Sequence, residues 1–458
     1  MGLTQTLCAL MRETTYDTLG EDCIAKVREA IIDGLAVGLA GSREKPVALL
    51  REHLRELGGH EQAGFWGSAQ RGSVVQAAYV NGVATHVLDF EPMWSPPTHS
   101  VSPTVPVAFA LAEWLPLSGR QLIQAVAKGL EIQGRLQYAG DQFVPEDLKF
   151  HPPGFAGVIG SAVVAADLLG LDELQWRHAI GIAASRAGAL LANVGSMTKA
   201  THCGQAAAAG LDAALLARRG FTGNPDVFEA HKGFIATFYP EVFHEDRLLA
   251  WGKPFRVVDP GLAIKLFPSQ YGTHYGITAG LELHRRIGGR HIRRVAMRTP
   301  VMKYVDRPAP ATGLDGKFSL QYTTAIALLD GAVRIASFTD ERRFRLDVVE
   351  LLARFDMTQD ATIRGDFHHM FVEVSATLDD GSTESTVCRG PRGSWSNPMT
   401  AQEHADKLQD CFAHAMPGRD PAVLLQGLQQ LDRLDAAALR TLMDELRTSP
   451  DERPGTGA

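Results

Sequence analysis

The fold is decided by Gly195-Ser-Met-Thr-Lys199-Ala-Thr-His202-Cys-Gly204-Gln-Ala-Ala-Ala-Ala-Gly210-Leu-Asp-Ala-Ala-Leu-Leu-Ala217. Its first third is polar and carries Thr198, Lys199, Thr201 and His202. From Gly204 onward the side chains shrink to Ala and Gly, and Ala207, Leu211, Ala214 and Leu215 form one helical stripe. A helix so poor in bulk has to lie close against its neighbours, so it reads as the interior helix of a helical body. Thr201 is a candidate N-cap. The amides of a helix start favour anions, and Lys199 beside that end adds a full positive charge. Lys199 is therefore the first candidate for holding a substrate carboxylate.

The same small-residue patterning extends to both sides. Residues 22–41 read as an amphipathic helix whose second half is small and buried. Segments 45–57, 72–88, 103–115, 119–138, 155–170 and 173–193 keep helical periodicity between short Gly, Pro or Asp breaks. Gly34, Gly38 and Gly41 follow no strand and lack nucleotide-loop spacing, so they read as close helix packing. Alternating strand patterns are scarce before residue 260. Beyond it, 293–300 and 347–353 mix strand and helix signals. Residues 370–378 and 383–388 alternate around Asp379-Asp-Gly-Ser and predict a hairpin. Helical patterning returns at 401–415, 420–431 and 435–447.

These signals predict a mainly α protein: a large all-helical domain built from both chain ends, with a smaller inserted α+β domain. The expected boundaries are 1–264 and 398–448 for the helical domain, 265–397 for the insertion, and 449–458 for a frayed tail.

The chain has 458 residues, a formal net charge of −7 and five cysteines without Cys-x-x-Cys spacing. The charge argues against a general nucleic-acid surface. The scattered thiols suggest neither a cluster nor a structural zinc site, and fit a reducing, cytoplasmic setting. No basic-then-apolar leader is evident, and the myristoylation-like Gly2/Thr6 pattern is discounted as common. The longest small-apolar run, residues 154–166, is shorter than the roughly 20 residues a span requires.

Four polar patches interrupt the apolar surroundings: His86 to Pro103 with Asp89 and His99, His151-Pro-Pro-Gly, the Lys199 loop, and Ile264 to His274 with Lys265 and Thr273. Taken singly, each reads equally well as a packed loop or a helix start. No His-x-x-x-His helix and no Gly-x-Ser-x-Gly elbow is present, which disfavours a metal-ligand helix or a serine hydrolase. Lysines, histidines and an aspartate in loops suit a small polyanion, with lysines neutralising carboxylates and histidines moving protons.

In order, Asn81-Gly-x-x-x-His86-x-x-Asp89-Phe, His99, His151-Pro-Pro-Gly, Gly195-Ser-Met-Thr-Lys199-x-x-His202-x-Gly, Lys265-x-x-Pro-Ser, Thr273-His274 and Lys317-Phe-Ser-Leu-Gln-Tyr322 resemble the MmgE/PrpD family over residues 20 to 448. The family includes 2-methylcitrate dehydratase, cis-aconitate decarboxylase and iminodisuccinate epimerase. The resemblance implies a homodimer whose inserted domain is a lid over an interdomain cleft, and a site that needs no metal or organic cofactor. It carries over Asp89, His99, His151, Lys199 and His274 as catalytic candidates. Lys265, Tyr322, Thr273 and His202 follow as substrate-binding candidates. The run Glu91-Pro92-Met93-Trp94 and the sequence His99-Ser-Val depart from the family pattern next to the substrate.

The resulting expectation is a lyase acting beside a carboxylate of a small di- or tricarboxylate, a hydro-lyase ahead of a carboxy-lyase. The alternatives are a dicarboxylate epimerase or isomerase and, from another class, a non-catalytic carboxylate-binding protein. His99 and His274 are expected on opposite walls of one cleft, with Lys199 and Asp89 between them.

Overall fold

A computed structural model describes residues 2–447. The expected frayed tail, 449–458, lies outside the described residues. The helix of the opening stretch runs Thr198–Arg218 and is sandwiched between helices Val74–Val87 and Pro152–Leu168. Its small side chains explain that placement. A methyl group built on Gly204 would come 2.4 Å from the Tyr79 carbonyl oxygen, and one on Gly82 would come 2.8 Å from the Gly204 Cα. Only glycine allows the two backbones to approach this closely.

Helices Val101–Trp114 and Glu173–Ala184 also pack on it, while Glu21–Gly41 packs on Val74–Val87 and Gly119–Ala139 on Pro152–Leu168. Chain-terminal helices Ala401–Ala415, Ala422–Gln429 and Ala436–Asp444 return to the same body, where Cys411, Phe412, Leu428 and Leu439 join its apolar core. No helix among the described residues is long and apolar enough to cross a membrane.

A second core occupies the intervening stretch, with Tyr275, Ile277, Val295, Ile326, Val372 and Val374 at its centre. Its four-stranded sheet has the order Phe355–Gln359, Ile292–Thr299, Val372–Leu378, Thr383–Cys388. The first pair is parallel and the other two are antiparallel. Val372, Val374, Ala376 and Leu378 point inward against helix Thr273–Ile287, while the residues between them are half-buried, which is the alternation of a one-sided sheet. Residues 347–353, ambiguous in sequence, belong to helix Leu346–Leu352. Met93 and Ala263, both in this second core, exchange backbone hydrogen bonds of 3.0 and 2.9 Å.

Two local expectations fail. The helix predicted over 173–193 stops at Ala184. Ala189 takes a left-handed φ of 88°, and its carbonyl accepts the His151 amide at 3.0 Å. The chain from 185 therefore leaves the helix path and lines a cavity instead. Thr201 is not an N-cap, because the helix begins at Thr198 and the Thr201 hydroxyl donates back to the Thr198 carbonyl at 2.7 Å. Lys199 consequently sits inside the first turn, on the side facing Asp89.

Candidate active site

Asp89 follows helix Val74–Val87 with φ of 51°, a left-handed conformation that a short polar residue tolerates better than a branched one. That turn aims its carboxylate inward, where it is 2% exposed. Lys199 donates to Oδ2 and Lys265 to Oδ1. Lys265 also donates to the Asp89 carbonyl at 2.8 Å and to the Ser269 carbonyl at 3.2 Å. Burial by itself would raise the Asp89 pKa, but the two ammonium groups outweigh it and hold the carboxyl well below its usual range. The Lys265 ammonium is wholly buried and spends its donors on the protein, so its part is to hold Asp89.

Two residues further on, Glu91 forms a second buried anionic centre. His86 bonds to its Oε1 through Nδ1, Ser102 donates to the same oxygen at 2.7 Å, and His99 Nδ1 lies 3.1 Å away. Burial pushes Glu91 up, and the two imidazoles pull it well below the carboxylate range. His99 Nε2 lies 3.9 Å from Asp89 Oδ1, so this ring bridges the two carboxylates. The ring of His151 stands 5.9 Å from that of His99 and 5.4 Å from that of His86, centroid to centroid. Burial, then the Lys199 charge, drive His151 well below the ordinary imidazole value and His86 down to about 4. Both shifts favour the neutral imidazole at neutral pH.

Asp89, His99, His151 and Lys199 open onto one cavity of about 460 Å³ between the two cores. Lys303, Tyr304, Arg307, Gln270, Tyr271, Phe318 and Glu146 also line it. Lys303, Arg307 and Gln270 carry no periodic signal in the sequence, since they lie in short loops and a single 3-10 turn. In the sequence Glu91 reads only as a departure, and its two histidine contacts are not foreseen there, although a Glu five residues from a His beside a helix end is visible.

The remaining candidates lie behind this wall. His274 does not face His99 across the cavity. The Pro268–Ser269 turn folds back so that His274 Nε2 donates to the Ser269 carbonyl at 3.3 Å, and the ring packs on Phe267 and Tyr271. Burial, then the Lys265 charge, push it down to about 3. Thr273 donates to the Gln270 carbonyl at 2.6 Å and pairs with the Ser269 hydroxyl at 2.9 Å. Tyr322 donates to the Ser337 carbonyl at 2.5 Å. His202 touches His151, with 3.1 Å between their Nδ1 atoms.

Among the described residues three overlapping groups have the donor set of a metal site, each with its ligand atoms within 4.8 Å of one another: His86, His99 and His151; His86, Glu91 and Cys203; and Asp89, Glu91 and His99. The Nδ1 of His86 is already taken by Glu91, and the Lys199 charge that depresses His86 and His151 equally opposes a cation there. The same positive bias favours an anion in the cavity.

The residues of this wall fit one family. The MmgE/PrpD N-terminal domain matches residues 5–245 and the MmgE/PrpD C-terminal domain matches residues 267–431. The chain belongs to the MmgE/PrpD family. It is 30% identical over 457 residues to the cis-aconitate decarboxylase of Homo sapiens, spanning 96% of this chain and 94% of that relative. The Mus musculus cis-aconitate decarboxylase is 30% identical over 453 residues, with 96% and 92% covered. That of Aspergillus terreus is 24% identical over 428 residues, 86% of each chain.

Proposed function

We infer that this protein is a carboxy-lyase that removes CO2 from a small polycarboxylate of the cis-aconitate type. The observation that carries the reading is the pairing, on one cavity wall, of the Lys199 ammonium with two imidazoles, His99 and His151. Lys303 and Arg307 also line the cavity, Arg307 with its guanidinium paired to Asp315. The likeness to cis-aconitate decarboxylases along nearly the whole chain favours loss of CO2 over loss of water.

In this reading the cations bind the carboxylates that stay. The bond to the departing carboxylate breaks, CO2 leaves, and the electron pair remains on carbon, delocalised toward a neighbouring carboxylate. Lys199 stabilises that growing charge where water is largely excluded. One proton then goes to carbon, so each turnover consumes one proton and releases one CO2. His151 is the acid: Nδ1 is engaged by His202, which leaves Nε2 for the cavity. A bound polyanion raises the affinity of this depressed imidazole for the proton it must carry. His99 lies between Asp89 and Glu91 and holds their positions. A homodimeric assembly and closure of the 265–397 unit over the cavity belong to the same proposal.

The test is a screen of citrate, 2-methylcitrate, cis-aconitate and iminodisuccinate in deuterated water, followed by NMR. The decarboxylase reading expects CO2 release with one deuterium on carbon. Water loss from a hydroxy acid would make the protein a hydro-lyase, and exchange without net conversion an epimerase. Binding without turnover would leave a carboxylate-binding protein.

A further inference from the structure

His151 and His202 come from different helices, at the start of Pro152–Leu168 and in the first turns of Thr198–Arg218. Their Nδ1 atoms face each other at 3.1 Å, with ring centroids 5.2 Å apart. Two ring nitrogens at that distance hold one proton between them, so one ring donates and the other accepts. His151 lines the cavity and His202 does not.

We propose that His202 is a positioning residue for His151: its Nδ1 accepts the Nδ1 proton of His151, so that Nε2 is the nitrogen that exchanges a proton with substrate. This rests on the decarboxylase reading for its chemistry. In the loaded state His151 is an imidazolium, with Nδ1–H bonded to His202 and Nε2–H directed to the substrate carbon. Delivery of the Nε2 proton leaves neutral His151, still bonded through Nδ1–H to the same acceptor. When the next polyanion binds, Nε2 takes up a proton from solvent. The Nδ1 bond persists through the cycle, so the ring neither turns nor changes tautomer. If His202 were the donor, His151 could not become an imidazolium without breaking the contact.

His202 is suited to accepting. Burial and the Lys199 charge push its own pKa down to about 4, so it remains neutral at neutral pH. The other charged or titratable groups facing His151 are Lys199, His86 and His99, with the Asp89 and Glu91 carboxylates behind them. None of these supplies an acceptor to His151 Nδ1.

The experiment compares wild type with His202→Leu, His202→Asn and His202→Asp over a pH series on the polycarboxylate that turns over. Leu removes the acceptor, and kcat is expected to fall by about 100-fold, the lower end of an acid–base contribution, with KM nearly unchanged. Asn retains an acceptor oxygen and restores most of that loss. Asp adds a negative charge beside His151 and moves the alkaline limb of the kcat profile to higher pH. Wild-type kcat and pH profile in His202→Leu would overturn the proposal. So would a raised KM with unchanged kcat, which would make His202 a substrate contact. A second measurement needs no turnover. The nitrogen-15 spectrum of histidine-labelled wild type, assigned with His151→Gln, is expected to show the His151 proton on Nδ1. A proton on Nε2 in the empty protein would overturn the proposal. Absence of turnover on every polycarboxylate would remove the decarboxylase reading and leave the spectrum to decide the His151–His202 bond.

Discussion

The ammonium of Lys407 lies 2.9 Å from the carbonyl oxygen of Phe90. The same group pairs with Asp33 Oδ1 at 2.9 Å, and His404 Nε2 lies 3.1 Å from Asp33 Oδ2. Asp33 is in helix Glu21–Gly41 and Lys407 in helix Ala401–Ala415, so both chain ends grip the backbone between Asp89 and Glu91. Removing the lysine leaves a fully buried carboxylate short of its main partner. Lys407→Met is expected to cost about 3–5 kcal/mol of stability. The paired change Asp33→Leu with Lys407→Met is expected to recover most of it. Denaturant unfolding of both variants checks this, and equal loss in single and double variants would contradict it.

Lys199→Ala is expected to reduce kcat/KM by about 2–5 kcal/mol equivalent, the usual cost of losing a charged anchor from a desolvated site. Lys199→Arg is expected to lose much less. The melting temperature changes little, because Lys265 still neutralises Asp89. Steady-state kinetics with a thermal melt decide it. Normal turnover in Lys199→Ala, or simple unfolding, would count against a role in substrate binding.

Acid weakens this protein by a route that can be traced. The ordinary imidazole value is 6.5, and His274 in the folded chain is pushed down to about 3 by burial, then by Lys265. Between those two values the unfolded chain binds more protons than the folded one. Its contribution is therefore complete above pH 6.5 and is lost as pH falls toward 3. His86 and His202, both down to about 4, act in the same direction. Unfolding free energy is expected to fall steadily from about pH 7 to about pH 5, and less steeply in His274→Phe. An unchanged slope in that variant would refute the assignment.

Prolonged EDTA treatment is expected to leave turnover intact, because the three clustered imidazoles face a lysine and one of them is already bonded to Glu91. Activity that disappears on chelation and returns with a single metal would overturn this.

Much of the helical body was legible because Ala and Gly at helical spacing admit few placements: the Ala and Gly positions of 204–217 had to be interior, and they are. The hairpin across Asp379-Asp-Gly-Ser was legible from strict alternation. The end of the helix at Ala184 was not, since its composition stays helix-like until Gly188 and the left-handed Ala189 redirect the chain. At the site, single residues could be nominated but not their neighbours. Asp89 and Lys265 are 176 residues apart and touch. His274, a single residue from Thr273, is turned away by the backbone fold at Ser269. Periodicity does not encode such turns, and so Lys303 and Arg307 escaped notice.

The near-contact of Gly82 with Gly204 limits what directed evolution can do with this scaffold. A side chain at either position would push the Lys199 helix off its neighbour and shift the cation relative to Asp89, so the two positions are dead ends in a random library. Diversity aimed at a new substrate is better placed at Leu191, Ala192 and Val194. These border the cavity from the single 3-10 turn Leu191–Asn193 and the residue after it, ahead of the Lys199 helix.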